Sequence, residues 1–249
     1  MILTIESIYK SFGDVNALSN ISFSVSSGTV LMVLGPNGAG KSVLLQILAG
    51  VTAPDKGDVW VGDASILNRS QKIKYDIGYV SEEPDLIPNM TGLEYLHLVG
   101  SLFGMSEIRR RTRINELFAH FSLQGIGNTY INQYSRANKQ KFAFMASVLA
   151  EPKILLLDDV MSGMDYFSRE SVSGLIKTHV EHQGIVVYCT HEFSVVNELS
   201  DTYLFLNQGH VIANDTLSNL KGDVGEACVD LGVVYSTLFE KSVSRSIEI

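Results

Sequence analysis

The chain has 249 residues, enough for one large domain or for a domain carrying a subdomain. Hydrophobic residues make up 45% and charged residues 18%, a balance that excludes a disordered or fibrous chain. The net charge of −8 argues against nucleic acid as a partner, because phosphate contacts are made by Lys and Arg.

Residues 1–30 alternate polar and apolar positions in short runs (LTIESI, ISFSVS) and read as antiparallel strands. VLMVLG is a buried strand that ends in a glycine-rich turn, and the helical run KSVLLQILAG follows until Gly50 closes it. TAPDKGD is a turn, while DVWVGD and IGYVS are strands. From about Glu82 to Ala150 the pattern becomes helical in GLEYLHLVGSLF, SEIRRRTRINELFAHF and RANKQKFAFMASVLA, which predicts an inserted helical subdomain. ILLLD returns to a buried strand. A helix (YFSRESVSGLIKTHVEHQ), a strand (IVVYCT), a helix (EFSVVNELS) and a hairpin (TYLFLNQGHVIAND) follow. Strands alternating with helices predict a parallel sheet with crossovers. Residues 221–249 carry weak pattern and read as an extension of unknown role.

The basic stretch Arg109 to Arg113 has no interleaved aromatics and reads as a solvated helix face. Two cysteines, Cys189 and Cys228, cannot build a disulfide framework and suit a reducing cytoplasm. MILTIESIYK lacks the basic-then-apolar order of a signal peptide, and no run approaches the ~20 apolar residues that cross a bilayer. Any membrane role is therefore expected to go through a partner.

Gly35-Pro36-Asn37-Gly38-Ala39-Gly40-Lys41-Ser42, with Val43 continuing into the helix, matches G-x-x-x-x-G-K-[ST] between a buried strand and a helix. Glycines let backbone amides wrap closely around phosphate, and the helix amino end adds partial positive charge. In this pattern Lys41 binds the β- and γ-phosphates and Ser42 ligates Mg²⁺. Ile154-Leu155-Leu156-Leu157-Asp158-Asp159 delivers two carboxylates at the carboxyl end of a strand, where open α/β sheets bind ligands. Asp158 is expected to hold Mg²⁺, and Asp159 to serve as general base or to orient the attacking water.

With these motifs in order, the chain resembles an ABC-transporter nucleotide-binding domain from about Leu3 to Leu220. The resemblance implies an α/β fold of the P-loop NTPase type. A parallel-sheet core would carry an antiparallel β subdomain and an inserted α-helical subdomain over about 82–150. Tyr134-Ser135-Arg136-Ala137-Asn138 takes the place of the family signature, Ser162-Gly163-Met164-Asp165 resembles the D-loop, and Thr190-His191 resembles the switch histidine. Glu82, after IGYVS, holds the Q-loop position, and Phe12 takes the place of the aromatic that stacks on adenine. The implied cofactors are ATP and Mg²⁺. The implied partners are a transmembrane permease and a second ATP-binding subunit, identical or different, facing this one head to tail. The implied place is cytoplasmic, peripheral on the inner face of the membrane. In that arrangement Ser135 and Ala137 serve the opposite chain's nucleotide, Asp165 lies at the interface, His191 and Asp159 act at the γ-phosphate, and Glu82 reaches Mg²⁺ or water.

Three features depart from the family pattern: Asp159 where Glu is usual, Glu82 where Gln is usual, and Arg136 with Ala137 where the signature has its second glycine. Aspartate is one methylene shorter, so hydrolysis is expected to be slow but not absent. The stretch GYVSEEPDLIPNMTGLEYL looks most like exporters of the ABC-2 type, and Leu86 to Phe103 would then form the groove for the permease's coupling helix. The alternative reading is a nucleotide-gated regulatory subunit with little turnover.

Overall fold

The computed structural model describes residues 1–66, 71–192, 199–200, 202–224 and 231–247. The alternating amino-terminal stretch forms two long strands, β1 (Ile2–Phe12) and β2 (Val15–Ser26), joined by a tight turn. β1 also pairs antiparallel with β4 (Lys56–Val61), and β5 (Ala64–Ser65) completes a four-stranded sheet in the order β2-β1-β4-β5. Leu3, Ile5, Ile21, Phe23 and Val25 point inward from this sheet while their neighbours face water. That division is what period-two patterning predicts.

The second sheet has six strands in the order β10-β9-β3-β8-β7-β6. They are β3 (Thr29–Leu34), β6 (Ile77–Val80), β7 (Ile154–Asp158), β8 (Ile185–Thr190), β9 (Thr202–Asn207) and β10 (His210–Thr216). All neighbours are parallel except the terminal β9–β10 hairpin. Every residue of β7 and β8 is buried, which explains why these runs are continuously apolar instead of alternating. Their side chains divide between two cores. Met32, Leu34, Leu155, Leu157, Val186 and Tyr188 face one core, and Leu31, Val33, Leu156, Val187 and Cys189 the other. Each buried Leu or Val contributes about 1.5–3 kcal/mol of transfer free energy.

Helix α1 (Lys41–Leu48) and the antiparallel sheet cover one face. The opposite face carries α3 (Gly92–Leu102), α4 (Glu107–His120), α5 (Arg136–Leu149) and α6 (Tyr166–Glu181). α3 opens on a capping box between Thr91 and Glu94, and Ser106, Ser135 and Asp165 cap α4, α5 and α6. The inserted helices join through Leu96, Ile114, Leu117, Phe118, Phe142 and Phe144, with Phe118 edge-on to Phe142 at 5.6 Å.

The fold class is the expected one. Helix begins only at Gly92, so Glu82 to Thr91 is a loop that runs from the end of β6 into the insertion. A four-residue helix, α2 (Gln71–Lys74), and the two-residue β5 had no expectation because so few residues hold no period. The stretch without pattern is helical in part: α7 (Leu217–Val224) and α8 (Leu231–Ile247) pack on the β9–β10 edge, with Tyr235 5.4 Å from Phe205. The helix expected over EFSVVNELS falls largely outside the described residues.

Candidate active site

Three adjacent strands, β3, β8 and β7, end side by side and deliver the phosphate loop, Thr190-His191 and Asp158-Asp159 to one edge of the sheet. The register fixes this: Leu34 lies opposite Thr190 and Asp158 opposite Cys189. Among α1, α3, α4, α5 and α6, α1 alone has no side-chain bond at its amino end, where Gly40 sits at φ +103. That leaves the helix end to the loop and its ligand. A Cβ on Gly35 would lie 2.1 Å from the Leu206 carbonyl oxygen, and one on Gly40 2.5 Å from that of Ala17. Both glycines are required because backbone crosses at these points. Pro36, Asn37 and Gly38 form the exposed rim of the turn, over buried Ala39, and half-buried Val43 sits in the first turn of α1.

Lys41 is buried, and its Nζ donates to the carbonyls of Gly35 at 2.7 Å and Pro36 at 3.0 Å, which hold the ammonium across the loop. The Ser42 hydroxyl lies beside the Asp158 carboxylate and favours its charged form. Burial pushes the Asp158 pKa up, against the Ser42 hydroxyl and the Lys41 charge, with Glu82 and Asp159 adding repulsion. A buried carboxylate beside a hydroxyl, with further acids nearby, is a set of hard oxygens short of positive charge. Those donors fit Mg²⁺.

Asp159 adopts φ +48, in the left-handed region, and is 6% exposed. Its Oδ1 accepts from the Thr190 hydroxyl at 2.7 Å. Its Oδ2 lies 3.2 Å from His191 Nδ1 without hydrogen-bond geometry and is otherwise a buried oxygen with no partner.

The remaining expected residues surround this centre. The Glu82 carboxylate turns toward Arg136, 4.0 Å away at the start of α5, and reaches Asp158 only as a neighbouring charge. The backbone of Ser81 accepts from Gln140, one turn further along α5, at 3.3 Å. Ser135 is exposed and accepts from Asn138 N–H at 3.2 Å as the cap of α5, with Ala137 half-buried in the first turn. Asp165 caps α6, and its bonds from the Ser168 amide and hydroxyl, with Lys141 3.5 Å away, draw its pKa down to about 2. Phe12 sits at the β1–β2 turn, 52% exposed, with the Lys10 ammonium 5.2 Å over its ring. It is no core residue.

Sequence reasoning gave Arg136 only as a departure and missed Lys141, 3.5 Å from Asp165, and Tyr188, whose hydroxyl accepts from the Met161 N–H at 3.0 Å. Two of these carried a signal: Glu82 and Arg136 are opposite charges replacing neutral family residues, and Tyr188 stands two residues before Thr190 on a strand.

The profile of the family described as ABC transporter matches residues 18–162. The chain belongs to the ABC transporter family. It is 30% identical to the daunorubicin resistance ATP-binding protein DrrA3 of Streptomyces coeruleorubidus, over 92% of this chain and 72% of that one. It is 32% identical to the probable sulfate/thiosulfate import ATP-binding protein CysA of Chlorella vulgaris, over 85% and 90% of the two chains. Among solved structures, the dimeric ATP-binding cassette MJ0796 in a post-hydrolysis state with ADP and Pi superposes with a TM-score of 0.79 at 27% identity, covering 86% of this chain and 98% of the cassette. An ATP-binding subunit of an ABC transporter has the same fold at a TM-score of 0.91 and 22% identity, over 96% and 100%. This ABC protein is an ATP-binding subunit and an ATPase that uses ATP with Mg²⁺. Among its described residues, no helix is long and apolar enough to cross a membrane.

Proposed function

We propose that the subunit works at the cytoplasmic face of a membrane as the motor of an exporter, closing with a second ATP-binding subunit on Mg²⁺–ATP and driving a separate permease. The observation that carries this is the joined constellation of Lys41 held across the phosphate loop and Ser42 beside Asp158. Lys41 grips the phosphate tail, Ser42 and Asp158 hold the metal ion, and Phe12, at the turn of the antiparallel sheet, offers its exposed ring to the base. When bound, Mg²⁺ neutralises charge on the phosphate oxygens. Asp159 and His191 orient or deprotonate the attacking water. The head-to-tail contact is assigned to the exposed Ser135 and to Asp165, each at the amino end of a helix.

The groove for the permease lies beneath the Glu82 loop. It is a cavity of about 310 Å³ walled by Leu86, Tyr95, Val99, Phe103 and Ala143. Within the Leu86–Phe103 stretch expected to form it, Leu96 is fully buried core. Export rests on the likeness of the Gly78–Leu96 stretch to exporters and on resemblance to two resistance proteins, DrrA3 and the linearmycin resistance protein LnrL of Bacillus subtilis. CysA carries an import name, so direction needs its own measurement: substrate flux in vesicles holding the subunit with its permease.

Turnover is proposed to be slow, because the Asp159 carboxylate is both short and drawn back against β8. The deciding experiment is Mg²⁺–ATP binding and hydrolysis by the wild type and by Lys41→Ala. Loss of about 100-fold or more in affinity and of all measurable hydrolysis is expected for the variant, since a charge-assisted grip on phosphate disappears. Equal affinity in the two proteins would remove the basis of this reading.

A further inference from the structure

Tyr188 and Thr190 leave the same face of β8, two residues apart, and both hydroxyls reach the segment that follows β7. Thr190 Oγ1 donates to Asp159 Oδ1 at 2.7 Å, and Tyr188 Oη accepts from the Met161 N–H at 3.0 Å. Between them the Cys189 carbonyl accepts from the Asp159 N–H at 2.8 Å. One strand thus makes three bonds to the turn Asp159–Met161.

The direction of the Thr190 bond is fixed. The hydroxyl donates its one proton to the Asp159 carboxylate oxygen, which accepts, while its own oxygen accepts from the Glu192 N–H at 3.0 Å. Neither hydroxyl is a surface accident: Tyr188 is 0% and Thr190 1% exposed. The turn they hold also needs holding. A non-glycine residue at positive φ costs roughly 1–2 kcal/mol and persists only where its surroundings determine it.

We infer that Thr190 is the positioning residue for the Asp159 carboxylate and that Tyr188 is the second anchor of the same turn. Together they form a two-hydroxyl clamp that sets where the shortened carboxylate stands relative to the attacking water. Thr190 acts through Asp159, and Tyr188 acts through the backbone at Met161. The inference rests on the proposal that Asp159 serves hydrolysis.

The test is single-turnover hydrolysis of radiolabelled Mg²⁺–ATP by the full chain, with ATP affinity measured in parallel. Thr190→Val keeps the shape and deletes the hydroxyl; Thr190→Ser keeps the hydroxyl and deletes the methyl. Thr190→Val is expected to slow the chemical step about 10- to 100-fold, as a displacement near 1 Å does, with ATP affinity held within about twofold. Thr190→Ser recovers most of the rate. Tyr188→Phe, which loses an anchor one step removed, slows it about threefold to tenfold.

A Thr190→Val rate equal to wild type overturns the clamp alone. Rate, affinity and melting temperature falling together, with no rescue by serine, also overturns it and makes Thr190 a packing residue. A wild type that binds Mg²⁺–ATP but shows no turnover overturns the hydrolysis proposal and the clamp with it. One that binds no nucleotide overturns the whole functional reading.

Discussion

The phosphate loop and the signature segment are both short turns that open a helix, yet they treat substitution in opposite ways. At the phosphate loop, backbone from Leu206 and Ala17 crosses so close to Gly35 and Gly40 that a methyl group has no room. At the signature, Arg136 is exposed with its guanidinium directed at Glu82, and Ala137 fits a helix turn. The first turn is constrained by its own fold before any ligand arrives. The second is constrained only by what docks on it, so two of the three departures from the family pattern gather there and in the loop it faces. A substitution that looks damaging in sequence is therefore harmless to folding at one site and ruinous at the other.

The comparison breaks most readily at Gly40. Gly40→Ala meets the Ala17 carbonyl at 2.5 Å from a backbone at φ +103, and a loss on the order of 3 kcal/mol in unfolding free energy is expected by denaturant melts. A loss under about 1 kcal/mol would show that the loop yields as the signature does. Next comes catalysis: Asp159→Glu restores the missing methylene and is expected to raise kcat about 10-fold, while lowering stability by about 1 kcal/mol because Glu suits a left-handed backbone less well than Asp. A kcat that stays level or falls would remove shortness as the cause of slow turnover.

The Asp165 cap offers a milder test. Asp165→Ala is expected to cost about 1 kcal/mol at pH 7. The folded carboxyl titrates at about 2, below its ordinary value of 3.8, so this stability is complete above the unfolded value and is lost as pH falls from there toward 2. Melting temperatures of the two proteins should converge over that window; a gap that widens in acid would contradict the sign. Smallest is the Glu82–Arg136 pair. At 4.0 Å, with side chains 53% and 69% exposed, a double-mutant cycle through Glu82→Gln and Arg136→Gly should give a coupling under about 1 kcal/mol that fades in salt. A larger coupling would mean that the signature is as tightly specified as the phosphate loop.

What the sequence disclosed follows the same division. Buried strands such as β7 and β8 were legible because a parallel sheet covered on both faces demands unbroken apolar runs. The phosphate loop was legible because its backbone demands glycine at fixed spacing. Asp159 was found as a residue, but its grip by Thr190 depends on two strands from distant parts of the chain lying in register, which no local pattern records. The pairing of Glu82 with Arg136 likewise spans a loop and a helix more than fifty residues apart. The carboxy-terminal helices escaped because their buried residues, Leu231 and Val234 among them, stand among further apolar residues in LGVVYSTLF, which leaves no clear helical period.

Cys189 offers a consequence of another kind. Its thiol is sealed inside the sheet, 3.8 Å from the Lys41 carbonyl, and burial drives its pKa well above the ordinary thiol range. Alkylating reagents can reach it only when β8 parts from α1. With Cys228 replaced by serine, the rate of thiol labelling becomes a clock for that opening, and a tightly bound nucleotide should slow it in proportion to the fraction of protein it occupies.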